Sequence, residues 1–237
     1  MQPMEKNVEK QLVVRTFEPD MNALKQTAKQ LAHMQDTSLN LYGQAGEVLI
    51  VVTARAYAQA AATELTENVA EQFHIETVTV DLTGTKEALT AAVTAAHPVA
   101  ENAAVNIAPR LRMATLYAVA QTRGALVAGT GNRSERYLGY FTKWGDGACD
   151  VNPIADLTVR EVYKLLRYLR APEPIINKQP SAGLFEGQTD EAEMGVAYAD
   201  VDDALLCGAP MPERAQRMHA ASAHKLRMPL TYGEDEG

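Results

Sequence analysis

The chain has 237 residues, of which 46% are hydrophobic and 22% are charged, and its formal net charge is −8. This length can bury a substantial core, so the composition predicts one globular domain over residues 1–237. The negative charge argues against a nucleic-acid partner, and no apolar run in the sequence is long enough to span a membrane. The opening residues MQPMEKNVEK lack the apolar stretch of a signal peptide, which predicts a cytoplasmic location.

Strand and helix patterns alternate along the chain. Apolar β-branched runs predict buried strands, and apolar residues at intervals of three or four predict helices. The alternation predicts an α/β three-layer sandwich with a parallel sheet, and residues 230–237 are expected to form a disordered tail. In chain order, the predicted elements are a strand at 11–15, a helix at 20–34, a strand at 47–54, a helix at 56–73, a strand at 74–82, a helix at 85–96 that ends before Pro98, a helix at 107–122, a strand at 125–130, a helix at 158–170 capped by Thr158, and helices from about 189 to 224.

The strongest functional signal is the segment 129–150, GTGNRSERYLGYFTKWGDGACD. It begins where the predicted strand 125–130 ends, and ligands of parallel sheets bind outside the carboxyl ends of strands. Glycine lets a backbone approach a ligand closely and leaves its N–H groups open as donors. The acids and bases among these glycines fit a phosphorylated ligand that carries a metal ion. The alternative interpretation is a polar surface loop.

This glycine-rich segment resembles the ATP- and dinucleotide-binding core of ammonia-dependent NAD synthetases, which belong to the N-type ATP pyrophosphatases. The resemblance covers residues 75–229 and follows the family's order and spacing. FTKxGDGxxD followed by KxPSAGLxxGQTDE is highly specific, whereas GTGN alone would be weak. The resemblance implies an adenine nucleotide alpha hydrolase-like fold. The further matching blocks are NIAPRLRMATLYAVA, DVNPIADLT, KQPSAGLFEGQTDEAEMGVAY and AHKLRMP.

The resemblance also implies a reaction. ATP would adenylate the carboxylate of nicotinic acid adenine dinucleotide, and ammonia would then displace AMP to give NAD. Mg²⁺ and cations around the polyphosphate would stabilise the leaving pyrophosphate. The sequence shows no glutaminase domain, so free ammonia is the expected nitrogen source. A homodimer with its sites at the interface is implied as well.

The resemblance gives roles to nine residues. Several of them also have structural interpretations: Glu135 as a solvated helix residue, Arg110 as part of an ion pair on a helix surface, and Lys143 as a plain surface lysine. Asp146 is expected to hold a turn. The loop 183–193 resembles the family's flexible segment that closes over the reacting centre, and its Asp190 and Glu191 have a second interpretation as caps of the helix that follows. The implied ATP contacts are Thr130 and Ser181, the Mg²⁺ ligands are Glu135 and Asp20, and the deamido-dinucleotide contacts are Arg110, Lys143, Asp150, His224 and Lys225.

The family pattern breaks in residues 1–45, which are divergent and shortened. The family's pyrophosphate loop, SGGxDS, corresponds best to residues 16–21, TFEPDM, where only Asp20 survives. Pro19 has no N–H to donate, and Glu18 places negative charge where phosphate should lie. A second departure is Val159, where the family usually has a lysine that contacts ATP.

Two functions from different classes remain open on the sequence. The first is an ammonia-dependent NAD synthetase that holds pyrophosphate without the glycine loop. The second is a catalytically impaired paralogue that binds NAD or its deamido precursor as a sensor or partner subunit. A third, another adenylating amidotransferase of the same fold, is disfavoured by the FTKWGDG and PSAGLFEGQTDE blocks.

Overall fold

A computed structural model of the protein describes residues 51–55, 69–72, 77–181 and 189–229. The predicted strand at 11–15, the helix at 20–34, the metal ligand Asp20 and the tail 230–237 lie outside these residues. The described strands are β1 (Val51–Arg55) and β2 (Thr77–Asp81), and the helices are α1 (Thr83–Ala96), α2 (Glu101–Val105), α3 (Ile107–Arg123), α4 (Arg133–Leu138), α5 (Val159–Tyr168), α6 (Glu173–Ile176), α7 (Asp190–Met194), α8 (Tyr198–Cys207) and α9 (Glu213–Ser222), followed by a 3-10 turn (Ala223–Lys225).

The two strands pair in parallel, with Val52 beside Val78 and Ala54 beside Val80. Parallel neighbours need a crossover connection, and residues 69–72 between them are helical. α3 packs against both β1 and α1. The described parts of the predicted strands 47–54 and 74–82 are therefore confirmed, as are the helices predicted at 85–96 and 107–122.

The predicted strand at 125–130 is wrong in extent. Within that range only Ala128 forms a bridge, which is parallel and pairs with Val151. The Asp150 carboxylate accepts the Val127 N–H at 2.8 Å, so this donor is not available to a neighbouring strand. The parallel pairing is therefore limited to this one bridge. The glycine-rich segment begins at the next residue, so the bridge fixes where that segment starts.

A hydrophobic core lies where α4 packs against α8 and α9. Leu138, Met194, Tyr198, Val201 and Ala215 are all buried in it. Burial of these side chains is the main force that fixes α4, the helix that carries Glu135. The helix predicted at 158–170 is confirmed as α5, and the helical region from 189 to 224 is confirmed as α7, α8 and α9 with the 3-10 turn.

None of the helices in the described ranges is both long enough and apolar enough to cross a bilayer.

Candidate functional site

Three of the four predicted ATP and metal residues line one cavity of about 340 Å³. Thr130 comes from the glycine-rich segment, Glu135 from the start of α4, and Ser181 from the chain between α6 and α7. The fourth, Asp20, lies outside the described residues. We call this space, after the ligand expected there, the nucleotide cavity. Its lining also includes Asp146, Lys178 and Asp190.

A capping box places Glu135 at the nucleotide cavity. The Asn132 side chain accepts the Glu135 N–H at 2.9 Å, and Glu135 Oε2 accepts the Asn132 N–H at 2.8 Å. This reciprocal pair satisfies two N–H groups that the first turn of a helix leaves open. The preceding turn is held as well, because Asn152 Nδ2 donates to the Gly131 carbonyl at 2.9 Å. Glu135 therefore acts as a helix cap and presents its carboxylate to the cavity.

The Glu135 carboxyl lies in a negative environment. Burial raises its pKa to about 7, and the nearby carboxylates of Asp190 and Asp146 contribute to the rise, while hydrogen bonds from Asn132 oppose it. Carboxylates that disfavour one another's ionisation suit a hard divalent cation, which takes oxygen ligands. Within residues 77–181 and 189–229, no three His, Cys, Asp or Glu side chains are grouped to hold a metal. Mg²⁺ fits here only if water and substrate phosphate oxygens complete its shell.

Two tyrosine hydroxyls hold α7 beside the nucleotide cavity. Tyr140 Oη donates to Glu193 Oε2 at 2.8 Å, and Tyr198 Oη donates to Asp190 Oδ2 at 3.2 Å. Burial, together with these carboxylates, raises the pKa of both tyrosines well above the usual value. Both hydroxyls therefore stay protonated at neutral pH and serve as fixed donors that orient the carboxylates of α7.

The two predicted dinucleotide lysines connect the glycine-rich segment to the 3-10 turn. Lys143 Nζ donates to the His224 carbonyl at 2.6 Å. In return, Lys225 Nζ donates to the carbonyls of Gly139 and Phe141, each at 2.8 Å. Burial lowers the pKa of Lys225. The structure therefore brings Lys143, His224 and Lys225 together, as their shared predicted role requires, and each ammonium is held by backbone oxygen.

The other two predicted dinucleotide residues form no hydrogen bond with Lys143, His224 or Lys225 in the described part of the chain. Asp150 accepts the Val127 N–H at 2.8 Å and the Tyr117 hydroxyl at 3.2 Å, so it fixes the chain just before Thr130. Burial and the Asp150 carboxylate raise the pKa of Tyr117 to about 12. Arg110 is exposed on α3. Neither Asp150 nor Arg110 is among the described residues that line the nucleotide cavity.

A larger cavity, of about 790 Å³, lies next to the nucleotide cavity and shares Gln179 and Pro180 with it. Its described lining contains none of the nine predicted site residues. Val159, which stands where the family usually has a lysine, lines this larger cavity and not the nucleotide cavity. The adjacent Arg160 forms an ion pair with Asp203 at 2.6 Å.

Sequence reasoning missed a buried network that joins α4, α5 and α8. Ser134 Oγ donates to Asp202 Oδ1 at 2.5 Å and accepts the Val159 N–H at 3.2 Å. Asp202 Oδ2 accepts the Arg160 N–H at 2.8 Å. Burial raises the pKa of Asp202, and the hydrogen bonds from Ser134 and Arg160 oppose that rise. No local pattern announces this network, because Ser134 and Asp202 are 68 residues apart.

The sequence analysis predicts no ligand role for Lys178. This residue nevertheless stands in the block KQPSAG, three residues before Ser181. The motif predicts that Lys178 is close to the site. The structure adds that Lys178 lines the nucleotide cavity.

The model of the NAD synthase family matches residues 26–229. The chain belongs to the NAD synthase family. An NH(3)-dependent NAD(+) synthetase of Carboxydothermus hydrogenoformans is 48% identical over 166 residues, which are 68% of this chain and 68% of that one. Matches to further curated relatives of the same description span about half of this chain and about half of theirs.

Two solved structures resemble this NAD synthase family member. An NMN synthetase from Francisella tularensis has a TM-score of 0.75 and 31% identity, with 89% of this chain and 99% of that chain covered. An NH3-dependent NAD synthetase from Campylobacter jejuni has a TM-score of 0.61 and 26% identity, with 83% and 85% covered. The predicted adenine nucleotide alpha hydrolase-like α/β fold is confirmed.

The family match begins at residue 26, inside the segment 1–45 where the sequence diverges. It reaches further towards the start of the chain than the recognisable motifs, which cover 75–229. Residues 16–21, the segment expected to correspond to the family's pyrophosphate loop, lie outside the matched range.

Proposed function

We propose that this protein is an ammonia-dependent NAD synthetase. It adenylates the carboxylate of nicotinic acid adenine dinucleotide with ATP, and ammonia then displaces AMP to form NAD. The observation that carries the proposal is the convergence of Thr130, Glu135 and Ser181 on one cavity. The relatives described as NH(3)-dependent synthetases support both the reaction and the nitrogen source.

At the ATP end of the site, the Thr130 and Ser181 hydroxyls bind ATP, and Glu135 holds Mg²⁺ together with Asp20. When bound, Mg²⁺ neutralises charge on the polyphosphate. The capping box fixes the Glu135 backbone and one carboxylate oxygen, so little side-chain freedom is lost when the cation binds. The same box holds the first turn of α4 next to Thr130.

At the dinucleotide end, Lys143, His224 and Lys225 form one contact group, with Asp150 nearby in the chain. The backbone carbonyls that now hold the two ammonium groups keep the lysines in place before the ligand arrives. Arg110 is exposed on α3 and contacts the dinucleotide of the partner subunit, so the active unit is a homodimer. The cytoplasmic location stays a prediction.

The test is NAD formation by purified protein with nicotinic acid adenine dinucleotide, ATP, Mg²⁺ and ammonium. A Glu135→Ala variant prepared in the same way controls for contaminating synthetase. We expect turnover by the parent and its loss in the variant. Absence of turnover in a parent that still binds the dinucleotide would instead assign the protein to the non-catalytic paralogues.

A second candidate is amidation of the mononucleotide, giving NMN. The similar Francisella tularensis structure bears the name NMN synthetase and is covered over 99% of its length. Rates measured with nicotinic acid mononucleotide and with the dinucleotide, each at a limiting concentration, give the two kcat/KM values. A higher kcat/KM for the dinucleotide supports the first candidate, and the reverse supports the second.

A further inference from the structure

The charges that line the nucleotide cavity are unbalanced. Glu135, Asp146 and Asp190 contribute three carboxyl groups, whereas Lys178 is the single cation among the described lining residues. ATP is itself an anion, so carboxylates alone would repel it. Lysine is a common ligand of phosphate because its ammonium is a compact charge with three donors. Lys178 therefore lies where an anionic ligand most needs a positive charge.

The backbone around Lys178 is held at both ends of its segment. The Tyr163 hydroxyl donates to the Lys178 carbonyl at 2.7 Å. Two residues further along the chain, the Pro180 carbonyl accepts the Asp190 N–H at 3.1 Å. These bonds fix residues 178–181 between α5 and α7, so Lys178 and Ser181 reach the cavity from one anchored stretch.

The Lys178 side chain is exposed, and its ammonium has no hydrogen-bond or ion-pair partner within the described ranges. The other cations near the site differ. Lys143 and Lys225 donate to backbone carbonyls, and Arg160 pairs with Asp203. All three Lys178 donors are available to a ligand without breaking a bond inside the described part of the protein.

We infer that Lys178 is a phosphate-binding residue of the ATP site and supplies positive charge to its acidic lining. In the adenylation step, a substrate carboxylate oxygen bonds to the α-phosphorus of ATP. The bond from that phosphorus to the bridging oxygen breaks, and pyrophosphate leaves with the electron pair. Lys178 donates hydrogen bonds to the polyphosphate and stabilises the charge on the leaving group. This inference rests on the proposed function.

The test compares Lys178→Ala and Lys178→Arg with a matched control, Lys164→Ala. Lys164 is an exposed lysine on α5 that does not line the nucleotide cavity. The Kd for Mg-ATP and for nicotinic acid adenine dinucleotide is measured by calorimetry, and KM for each substrate is measured in the NAD-forming assay. Melting temperatures of all variants establish that they are folded.

We expect Lys178→Ala to weaken Mg-ATP binding about tenfold or more, as loss of a hydrogen bond between charged partners does. The dinucleotide affinity of Lys178→Ala should be unchanged. Lys178→Arg should restore part of the Mg-ATP affinity. Lys164→Ala should bind both ligands as the parent does. Mg-ATP affinity that is equal in Lys178→Ala and the parent overturns the inference, even if both make NAD. A parent that binds no Mg-ATP overturns it too. Lys178-dependent Mg-ATP binding without NAD formation supports the inference and contradicts the proposed function.

Discussion

Glu135 combines two roles in one side chain. Its Oε2 atom accepts the Asn132 N–H in the capping box, while the carboxyl group lines the nucleotide cavity among other acids. The sequence leaves two interpretations of Glu135, as a helix residue and as a metal ligand, and the structure makes the two compatible. A glutamate at the third helical position suits both, because the first turn of a helix favours a negative group and this turn lines the cavity.

The raised pKa of Glu135 gives a pH-dependent stability. Its folded pKa is about 7 against an ordinary value of 4.5, so its contribution to stability is fully present below about pH 4.5 and is lost as pH rises through about 7. In Glu135→Gln the capping amide remains and the titration disappears. Without Mg²⁺, we expect the melting temperature of the parent to fall more between pH 5 and pH 8 than that of the variant. Parallel melting curves across this range would contradict the prediction.

Gly139 is required for two reasons that can be separated. It ends α4 with a φ of 65°, and an added Cβ would overlap the Ser222 side chain. Gly195 and Gly208 have φ values of 67° and 71°, and a Cβ on either meets nothing within 4 Å. Alanine at the two control positions should cost about 1 kcal/mol of unfolding free energy for the left-handed backbone. Gly139→Ala should cost about 2 kcal/mol more, because it adds overpacking.

Urea unfolding of the three glycine variants measures these differences. Equal losses of unfolding free energy at the three positions would show that the Ser222 side chain moves aside without cost.

At the scale of elements, α4, α5 and α8 meet at the buried Ser134–Asp202 network. Asp202→Ala leaves the Ser134 hydroxyl and the Arg160 N–H without their acceptor in a buried place, which should cost about 3 kcal/mol of unfolding free energy. The adjacent Asp203→Ala removes only a half-exposed ion pair with Arg160 and should cost less than about 1 kcal/mol. Chemical denaturation of both variants gives the comparison, and similar losses would contradict it.

Local patterns predicted the elements that local interactions determine. Thr158 was expected to cap α5, and it forms a capping box with Glu161. The strand at 125–130 was predicted from its apolar residues alone, and the Asp150 carboxylate that limits it lies more than twenty residues further along the chain. The Ser134–Asp202 bond could not be predicted for the same reason, since nothing near Ser134 indicates which distant acid will meet it.

The candidate site was predicted to the extent that its residues belong to recognisable motifs. Thr130, Glu135 and Ser181 reach one cavity, as a shared ATP role requires. Lys178 was missed because its place at the start of the KxPSAG motif does not by itself give it a ligand role. Its position at the cavity follows from the anchored backbone around it. Asp20 stays a prediction, since it lies outside the described residues.

At the scale of the whole molecule, the homodimer with shared sites is still a prediction, and it has a direct consequence. If Arg110 serves the partner's site, Arg110→Ala and Glu135→Ala damage different halves of each site. Each variant alone should be inactive or weak. Mixing them forms hybrid dimers in which one site has both residues intact, so we expect recovery of up to about a quarter of parental activity.

NAD formation after joint refolding of the two variants measures this recovery. Glu135→Ala mixed with Glu135→Gln is the matched control and should recover nothing. Sedimentation should give about twice the mass of one chain. Absence of recovery from a protein that sediments as a dimer would place Arg110 outside the partner's site.

Lys143 in the glycine-rich segment and Lys225 in the 3-10 turn each donate hydrogen bonds to the other segment. These bonds also set an order of events during protein synthesis. Lys143 needs the carbonyls of His224 and Arg227, and Lys225 returns bonds to Gly139 and Phe141. The ribosome makes residues 139–143 more than eighty positions before their partners. During that interval the segment lacks the contacts that hold it in the folded protein. The contacts between the glycine-rich segment and the 3-10 turn can therefore form only after residue 227 has been made, and a chain cut short before the 3-10 turn lacks them.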